Sequence, residues 1–374
     1  MRSNFIKIRK ENNFLYNDTN LFLITTAFQL VCAAEAMAYF KNTNNIIIFI
    51  KYGNVDKIQY KDIIELCNYN VFIEANFSQL KKKQLMKETI TLLNTIHNIV
   101  PVYDKVFTGF YSANLRRIIA NIKYSELYLI DDGVYTISIH HELFSKKTDN
   151  IKTKYIRKYS EKNKKTFFKK ARFLMFHYFR CLYFYLHGYK NDIKNKKQLN
   201  FFTMFNLTQI QKEKIIIHNF EHLKSIYKNK TMIENVNENI FFLGQPLDRV
   251  LDISNERYLN HIKYYILNKG FENKHIFYVP HRAENAKIIQ EIVNISKNIT
   301  VLKLDEPFEI YCLKNNLTIN HLVSFVSTAL YSIKKLYPKT KIDAIKLSND
   351  KQYSIDSKEI YEEFNKIGIN IYEM

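Results

Sequence analysis

The sequence predicts an α/β chain with two Rossmann-like domains that face a central cleft. Short apolar runs alternate with longer stretches of helical periodicity in both halves, and polar residues follow several of the apolar runs. This alternation is typical of parallel sheets with helical crossovers. The 374 residues, of which 47% are hydrophobic, are enough for two domains with cores of their own.

In the first half, five apolar runs are interpreted as strands, at 21–25, 45–50, 71–74, 105–108 and 127–130. The helices predicted among them span 27–40, 79–98 and 114–122. In the second half, predicted strands span 240–243, 276–279, 300–302, 321–325 and 342–347. The helices predicted there span 255–267, 283–296, 307–314, 328–336 and 357–367. We therefore expect domains at 1–200 and 201–374.

The formal net charge of +20 would suit a nucleic-acid partner, because clustered Lys and Arg release counterions from phosphate backbones. Lys, Asn, Ile and Tyr are abundant throughout the chain, however, so the surplus also fits a general compositional bias. We expect no nucleic-acid partner.

The excess of basic residues is greatest at 146–197, where a predicted helix rich in aromatic residues spans 167–186. Arg172, His177 and Arg180 interrupt its apolar run, so the helix does not fit a membrane span. It fits a surface for anionic lipid or for a partner subunit, and equally a buried helix that connects the two domains.

Residues 1–13 are charged and lack an apolar run of signal-peptide length, so we expect a cytoplasmic protein that could sit on the inner face of the bacterial inner membrane. Four scattered cysteines without Cys-x-x-Cys spacing fit reduced, mostly buried thiols.

Two adjacent carboxylates, Asp131 and Asp132, end the predicted strand 127–130 and precede a glycine. A carboxylate at the carboxyl end of a strand could deprotonate an acceptor hydroxyl. The same residues could equally form a turn or a helix cap. The spacing differs from the Asp-x-Asp pattern with which many sugar transferases hold a divalent metal, so we expect no essential metal.

Two further strand-to-helix turns carry groups suited to a phosphate. Pro280, His281 and Arg282 combine an imidazole, a permanent cation and a helix amino terminus. Ser327 and Thr328 place hydroxyls at a similar turn, although helix capping explains each of them as well.

Two other groups of polar residues also precede or begin helices. Glu309 could accept hydrogen bonds from a ribose or a base, or could serve as a cap. Thr25, Thr26 and Gln29 follow the first predicted strand and could line the acceptor side of a cleft, with buried capping as the alternative.

Five runs together resemble bacterial glycosyltransferase family 52, which contains sialyltransferases that act on lipooligosaccharide and capsule. They are LFLITTAFQL at 21–30, LIDDG at 129–133, FLGQPL at 242–247, YVPHR at 278–282 and SFVSTAL at 324–330. They occur in the family's order and span most of the chain.

The resemblance implies a GT-B fold, CMP-sialic acid as the donor, inversion at the anomeric carbon and no metal or other cofactor. It also implies a glycan or glycolipid acceptor and a homodimer. Domain 1–200 would serve the acceptor, and domain 201–374 would bind the nucleotide sugar with residues that include Gly244 and Gln245.

The sequence departs at two places from the motifs that other bacterial sialyltransferases share. At a third place it leaves open which carboxylate is the base. Arg282 stands where a proline would follow the histidine, and Ser327-Thr328 replaces a double serine. One branch of the family uses an aspartate just after the Gly-x-Pro turn, where Leu247 stands here and Asp248 comes one residue later. We favour Asp131 or Asp132 as the base, with Asp248 as the alternative.

Two other functions remain open at the level of sequence. One is transfer of a different sugar from a UDP donor. The other is a non-enzymatic role, in which the basic aromatic segment binds a membrane or a nucleic acid.

Overall fold

The computed structural model describes residues 5–10, 18–41, 44–52, 58–144, 167–191, 198–228, 239–246, 253–347 and 357–374. The chain divides into two compact units. Unit 1 comprises residues 1–132 and 142–218, and unit 2 comprises residues 133–141 and 219–374.

Unit 1 is built on an eight-stranded sheet in the order β1-β4-β3-β2-β5-β6-β7-β8. Its strands are β1 (Phe5–Lys10), β2 (Thr19–Ile24), β3 (Asn44–Lys51), β4 (Val71–Asn76), β5 (Tyr103–Thr108), β6 (Tyr124–Ile130), β7 (Leu199–Thr203) and β8 (Ile215–Ile217). Among the strands that the structure describes in this sheet, β1, at one edge, is the only antiparallel one. Its helices are α1 (Ala27–Phe40), α2 (Ile58–Ile64), α3 (Lys82–Ile99), α4 (Ala113–Ala120) and α6 (Phe167–Leu186); α5 (Tyr135–Phe144) begins in unit 2 and ends in unit 1.

Unit 2 is built on a six-stranded, wholly parallel sheet in the order β11-β10-β9-β12-β13-β14. Its strands are β9 (Ile240–Leu243), β10 (Ile276–Val279), β11 (Ile299–Val301), β12 (His321–Ser324), β13 (Lys341–Lys346) and β14 (Asn370–Glu373). Its helices are α7 (Glu221–Tyr227), α8 (Asn255–Asn268), α9 (Ala286–Val293), α10 (Phe308–Lys314), α11 (Thr328–Leu336) and α12 (Ser357–Lys366). The prediction of an α/β chain with two Rossmann-like units is confirmed.

Apart from the antiparallel edge strand β1, the two sheets share the same pattern of strand order. In each, the chain builds strands outward in one direction from a central strand and then returns to build in the other direction. The reversal falls between β2 and β5 in unit 1 and between β9 and β12 in unit 2. In sheets of this kind, ligands bind beyond the carboxyl ends of the strands at that switch point.

Continuous apolar strands explain the core of unit 1. Leu21 to Ile24 of β2 are wholly buried, as expected for a central strand covered on both faces. Across the sheet, Phe22 of β2 stacks on Phe107 of β5 with ring centroids 4.4 Å apart, and Phe107 stacks in turn on Tyr128 of β6. These contacts hold together the three strands whose ends carry the candidate site.

The boundary predicted at 200/201 differs from the division of the chain after His218. The reason is that β7 and β8 extend the first sheet in parallel from β6, so this part of the chain still belongs to unit 1. Residues 133–141 join unit 2, where the backbone N–H of Val134 donates to Thr328 Oγ1 at 3.0 Å.

A buried carboxylate connects three elements of unit 2. Asp343 on β13 accepts hydrogen bonds from Tyr265 at 2.5 Å and from Asn370 at 2.8 Å. Lys269 and His321 lie 3.0 and 3.3 Å from the same carboxylate. Burial alone would raise the pKa of Asp343, but the hydrogen bonds from His321, Tyr265, Asn370 and Lys269 hold that pKa below its usual value.

We predict that Asp343→Ala destabilises unit 2 by about 3 kcal/mol near neutral pH, because it leaves buried donors unpaired. Since the folded-state pKa is depressed, this stabilisation is fully present above the ordinary value of 3.8 and declines as the pH falls below it. The thermal midpoints of the wild type and the variant should therefore converge in acid. Exposed Asp305→Ala is the control, and an equal effect of both substitutions would contradict the prediction.

Candidate functional site

In unit 1, the residues predicted for the acceptor side and for the base follow neighbouring strands. Thr25 follows β2, Gly109 follows β5 and Asp131 follows β6. These three strands are adjacent and parallel, so their carboxyl ends meet at one edge of the sheet.

A hydrogen bond between Gln29 and Asp132 joins two of these segments. Gln29 Oε1 accepts from the backbone N–H of Thr25 at 2.7 Å and from its hydroxyl at 3.2 Å. Because an N–H can only donate, the amide oxygen must face Thr25, and the amide nitrogen then faces the carboxylate. Gln29 Nε2 donates to Asp132 Oδ1 at 2.6 Å. Gln29 is therefore a buried residue that orients a half-buried carboxylate.

The turn before helix α1 fixes the position of Gln29. Thr26 is the N-cap residue, and its hydroxyl accepts from the backbone N–H of Gln29 at 3.2 Å. The capping alternative for Thr26 is thus observed, and Thr25 is bound to the Gln29 side chain. Both threonines support the site through Gln29.

Gly109 leaves the space that the Gln29 side chain occupies. A Cβ atom at Gly109 would lie 2.2 Å from Gln29 Cδ and 2.4 Å from its Cγ. Neither distance is compatible with real contacts, so a side chain at position 109 would displace the Gln29 side chain.

Asp131 and Asp132 are adjacent but differ in burial and in hydrogen bonding. Asp131 is wholly buried and accepts hydrogen bonds from Thr203 Oγ1 at 2.6 Å and from the backbone N–H of Met204 at 2.7 Å. Both carboxylate oxygens thereby bind the carboxyl end of β7, where Thr203 is the last strand residue and Met204 follows it. Asp131 has the contacts of a structural residue, whereas Asp132 is half-buried.

Two further side chains with metal-ligand chemistry lie near Asp131. Ligand atoms of Cys32, Asp131 and His218 all lie within 4.8 Å of one another, and all three residues are buried. A thiol, an imidazole and a carboxylate could together bind a zinc-like ion. In this structure His218 stacks on Phe202, and Asp131 is bound to Thr203 and Met204.

In unit 2, the turn after β10 is built around Glu284, which the sequence did not single out. Its carboxylate accepts from the hydroxyls of Tyr278 at 2.5 Å and Tyr258 at 3.1 Å, and from the backbone N–H of His281 at 2.6 Å. Burial, followed by the neighbouring phenol and carboxylate, raises the pKa of Tyr278 well above its usual value. The phenol therefore remains a hydrogen-bond donor to Glu284.

Gly244, at the end of β9, is in contact with the same network. A Cβ atom there would lie 2.1 Å from Glu284 Oε2 and 2.4 Å from the Tyr278 hydroxyl. The next residue, Gln245, donates its backbone N–H to the Tyr258 hydroxyl at 3.0 Å. The Gly-Gln turn and the Pro-His-Arg turn are thus held by one set of hydrogen bonds.

The same turn fixes the tautomer of neutral His281. Its Nδ1 accepts from the backbone N–H of Ala283 at 3.1 Å. In a neutral imidazole whose Nδ1 accepts, the proton is on Nε2. His281 is half-buried, as is Pro280, whereas Arg282 is exposed in the turn.

Ser327 and Thr328 begin helix α11 and have different roles. Ser327 is buried and is the N-cap residue by backbone geometry, but its side chain does not accept a capping hydrogen bond. The hydroxyl of Thr328 accepts from the backbone N–H of Val134. Ser327 is therefore the better placed of the two to bind a ligand at the helix amino terminus.

Glu309 and Asp248 complete the predicted residues. Glu309 is buried and accepts a hydrogen bond from Ser332 of α11, so it connects α10 to α11. Burial raises the pKa of Glu309, although the Ser332 hydrogen bond opposes the shift. Asp248 lies outside the described residues.

A cavity of about 820 Å³ lies where the strands of the unit 2 sheet begin, at the end opposite to the turns that carry Gly244, His281 and Ser327. It is lined near the amino ends of β9, β12 and β13, by residues that include Ile240, Lys274, His321 and Lys341. That end of the sheet does not carry the helix amino termini that follow the strands. The predicted donor residues therefore do not line this cavity.

Sequence reasoning did not identify four residues that shape the site, and the sequence gives little indication of them. Gly109 is one of seven glycines in the chain and directly follows a predicted strand, which is the one available signal. Tyr258, Tyr278 and Glu284 belong to common residue types, and only the fold brings them together.

We predict that Gly109→Ala destabilises the wild type by roughly 1–3 kcal/mol, because its Cβ displaces Gln29. The same substitution should be nearly neutral in a Gln29→Ala background, since the clashing atoms are absent there. The thermal midpoints of the wild type, of each single variant and of the double variant give the coupling between the two substitutions. Equal costs in both backgrounds would show that the clash is not with Gln29.

We predict that Glu284→Ala lowers the stability of unit 2 by roughly 2–3 kcal/mol, because two buried phenols and a backbone N–H lose their acceptor. Glu291→Ala, at an exposed position of helix α9 shortly after Glu284, is the control. Thermal denaturation followed by circular dichroism measures both. If Glu284→Ala lowered the thermal midpoint no more than Glu291→Ala does, Glu284 would not stabilise these turns.

No protein-family model matches the sequence, and no curated protein matches it. Similar solved structures include Escherichia coli ADP-heptose lipopolysaccharide heptosyltransferase II, with 10% identity and a TM-score of 0.38 over 93% of this chain and 98% of that one. Acinetobacter baumannii MurG has 8% identity and a TM-score of 0.40 over 95% and 86% of the two chains. TcCGT1 in complex with UDP has 8% identity and a TM-score of 0.49 over 96% and 86%.

Proposed function

We propose that this protein is a GT-B glycosyltransferase that transfers sialic acid from CMP-sialic acid to a glycan hydroxyl. The observation that supports the proposal best is the place of the predicted residues in each sheet. In unit 1, Thr25 and Gln29 follow β2 at the switch point, and Asp132 follows β6, one strand beyond it. In unit 2, Gly244 and Ser327 follow the two strands at the switch point, and His281 follows the neighbouring strand β10.

Asp132 is the proposed general base, in preference to Asp131. A base must be able to reach the proton it removes, and Asp131 is wholly buried with both oxygens bound at the carboxyl end of β7. Asp132 is half-buried and is oriented by the Gln29 amide. An amide donor orients a carboxylate and leaves lone pairs for the acceptor hydroxyl.

Unit 2 supplies the proposed binding site for the donor. The backbone N–H groups at the start of α11, with the Ser327 hydroxyl, suit a phosphate oxygen. His281, with its proton on Nε2, can donate to a second phosphate oxygen, and the exposed Arg282 adds positive charge. Glu284 and Gly244 fix the shape of the turns from which these groups project.

In the proposed reaction, the acceptor oxygen attacks the anomeric carbon of sialic acid as Asp132 takes the hydroxyl proton. The bond between that carbon and the phosphate oxygen breaks, and its electron pair leaves with CMP. His281 donates a hydrogen bond from Nε2 to the departing phosphate, and Ser327 with Arg282 disperses the phosphate charge. Attack from the face opposite the phosphate inverts the anomeric centre.

Isothermal titration with CMP and with UDP tests the class of donor. The proposal predicts that CMP binds and that His281→Ala and Ser327→Ala both weaken its binding. Lys274→Ala, in the cavity at the opposite edge of the sheet, is the control that should leave CMP binding unchanged. Binding of UDP with no affinity for CMP would redirect the proposal to a UDP-sugar transferase.

We predict that Asp132→Asn slows transfer of sialic acid to galactosides by roughly a hundredfold to ten-thousandfold, with the affinity for CMP unchanged. Asp131→Asn should act mainly on stability, because its hydrogen bonds lie within the core of unit 1. Mass spectrometry of the product measures turnover, and a thermal melt measures folding. Full turnover by Asp132→Asn would reject it as the base.

A further inference from the structure

Helix α6 exposes a continuous apolar stripe on the surface of unit 1. Its members recur at helical spacing and have exposed fractions between 44% and 74%; they are Met175, Tyr178, Phe179, Leu182, Tyr185 and Leu186. At 100° per residue these positions cover an arc of about 120° on one side of the helix. Isolated exposed apolar residues are ordinary, but a contiguous stripe of this length marks an interaction surface.

The opposite side of α6 is packed against unit 1. Phe184 is buried, and the guanidinium of Arg117 on α4 lies 5.5 Å from its ring centroid. After the helix, Lys190 exchanges backbone hydrogen bonds with the Asn121 side chain at 2.7 and 2.8 Å. The exposed stripe is therefore presented by an anchored helix.

Positive charge borders the stripe. The ammonium groups of Lys82 and Lys83, in the first turn of α3, lie 5.1 and 5.7 Å from the rings of Phe176 and Phe179. The chain before the described part of the stripe, 146–172, contains twelve Lys or Arg and two acidic residues. An apolar stripe with basic residues along its border is complementary to an anionic lipid surface.

The helix is suited to lie on a bilayer. Among the parts of the chain that the structure describes, no helix has the length and apolar character needed to cross a membrane. Exposed tyrosines on the stripe combine an apolar ring with a polar hydroxyl, which suits the depth of the lipid headgroups.

We propose that the apolar stripe of α6, together with Lys82 and Lys83, docks this protein onto an anionic phospholipid bilayer. The apolar side chains enter the boundary between headgroups and acyl chains, and the lysines contact lipid phosphates. This role is independent of the transferase chemistry proposed above, and vesicle binding can be measured whichever donor the enzyme uses.

The absence of tryptophan from the sequence gives a direct test. The Tyr178→Trp variant carries a single tryptophan on the stripe, and Tyr264→Trp carries one at an exposed position of α8 in unit 2. With vesicles of phosphatidylcholine and phosphatidylglycerol, the emission of the first should shift to shorter wavelength and be quenched by brominated acyl chains. The second should show neither change, and a signal that is the same at both positions would overturn the proposal.

Two sets of substitutions test separately how the apolar side chains and the two lysines contribute to vesicle binding. Met175→Ser combined with Tyr178→Ser, Leu182→Ser and Tyr185→Ser should weaken vesicle binding by about tenfold or more. Lys82→Gln combined with Lys83→Gln should weaken it by about tenfold, and only for anionic vesicles. Tyr264→Ser combined with Leu267→Ser is the matched control and should bind like the wild type.

A second copy of the chain is the competing occupant of the stripe. Light scattering after size-exclusion chromatography distinguishes the two. A wild-type dimer that dissociates in the fourfold serine variant, with no binding of either protein to vesicles, would overturn the proposal in favour of a dimer interface. A thermal midpoint equal to that of the wild type confirms that the fourfold variant is folded.

Discussion

The hydrogen bond between Gln29 and Asp132 joins residues 103 positions apart, and the arrangement of the unit 1 site depends on it. It can form because β2, β5 and β6 are adjacent parallel strands that end at one edge of the sheet. The glycine after β5 leaves room for the Gln29 side chain, and the cap at Thr26 sets the direction in which α1 leaves the sheet. The fold thus determines which of two adjacent carboxylates faces outward.

In unit 2, too, side-chain hydrogen bonds connect the turns at the carboxyl ends of adjacent strands, here through tyrosines and a glutamate. Its switch point lies between β9 and β12, where Ser324 donates to the carbonyl of Leu243 at 2.8 Å. Glu284 then connects the turns after β9 and β10 through two phenols and a backbone N–H. The groups proposed to bind phosphate project from turns that are held by buried hydrogen bonds, so little reorganisation is required when a ligand binds.

Much of this fold follows from the sequence because central parallel strands are apolar on both faces and are bounded by polar turns. The strands 240–243 and 276–279 and the helices 27–40 and 328–336 were predicted with the bounds that the structure has. The strands β7 and β8 were not predicted, and for β8 the reason is that three isoleucines between polar neighbours carry no periodicity. Because both strands extend the first sheet, the chain divides after His218 rather than at the predicted 200/201. The different environments of Asp131 and Asp132 could not be predicted either, since they depend on Thr203 and Met204 at the carboxyl end of β7.

The proposed function depends on nucleotide binding at the carboxyl ends of the unit 2 strands. A crystal structure with CMP tests it most directly. We expect the phosphate at the start of α11, within hydrogen-bonding distance of Ser327 and His281. A nucleotide bound instead among Lys274, His321 and Lys341, in the cavity at the amino edge of that sheet, would contradict it.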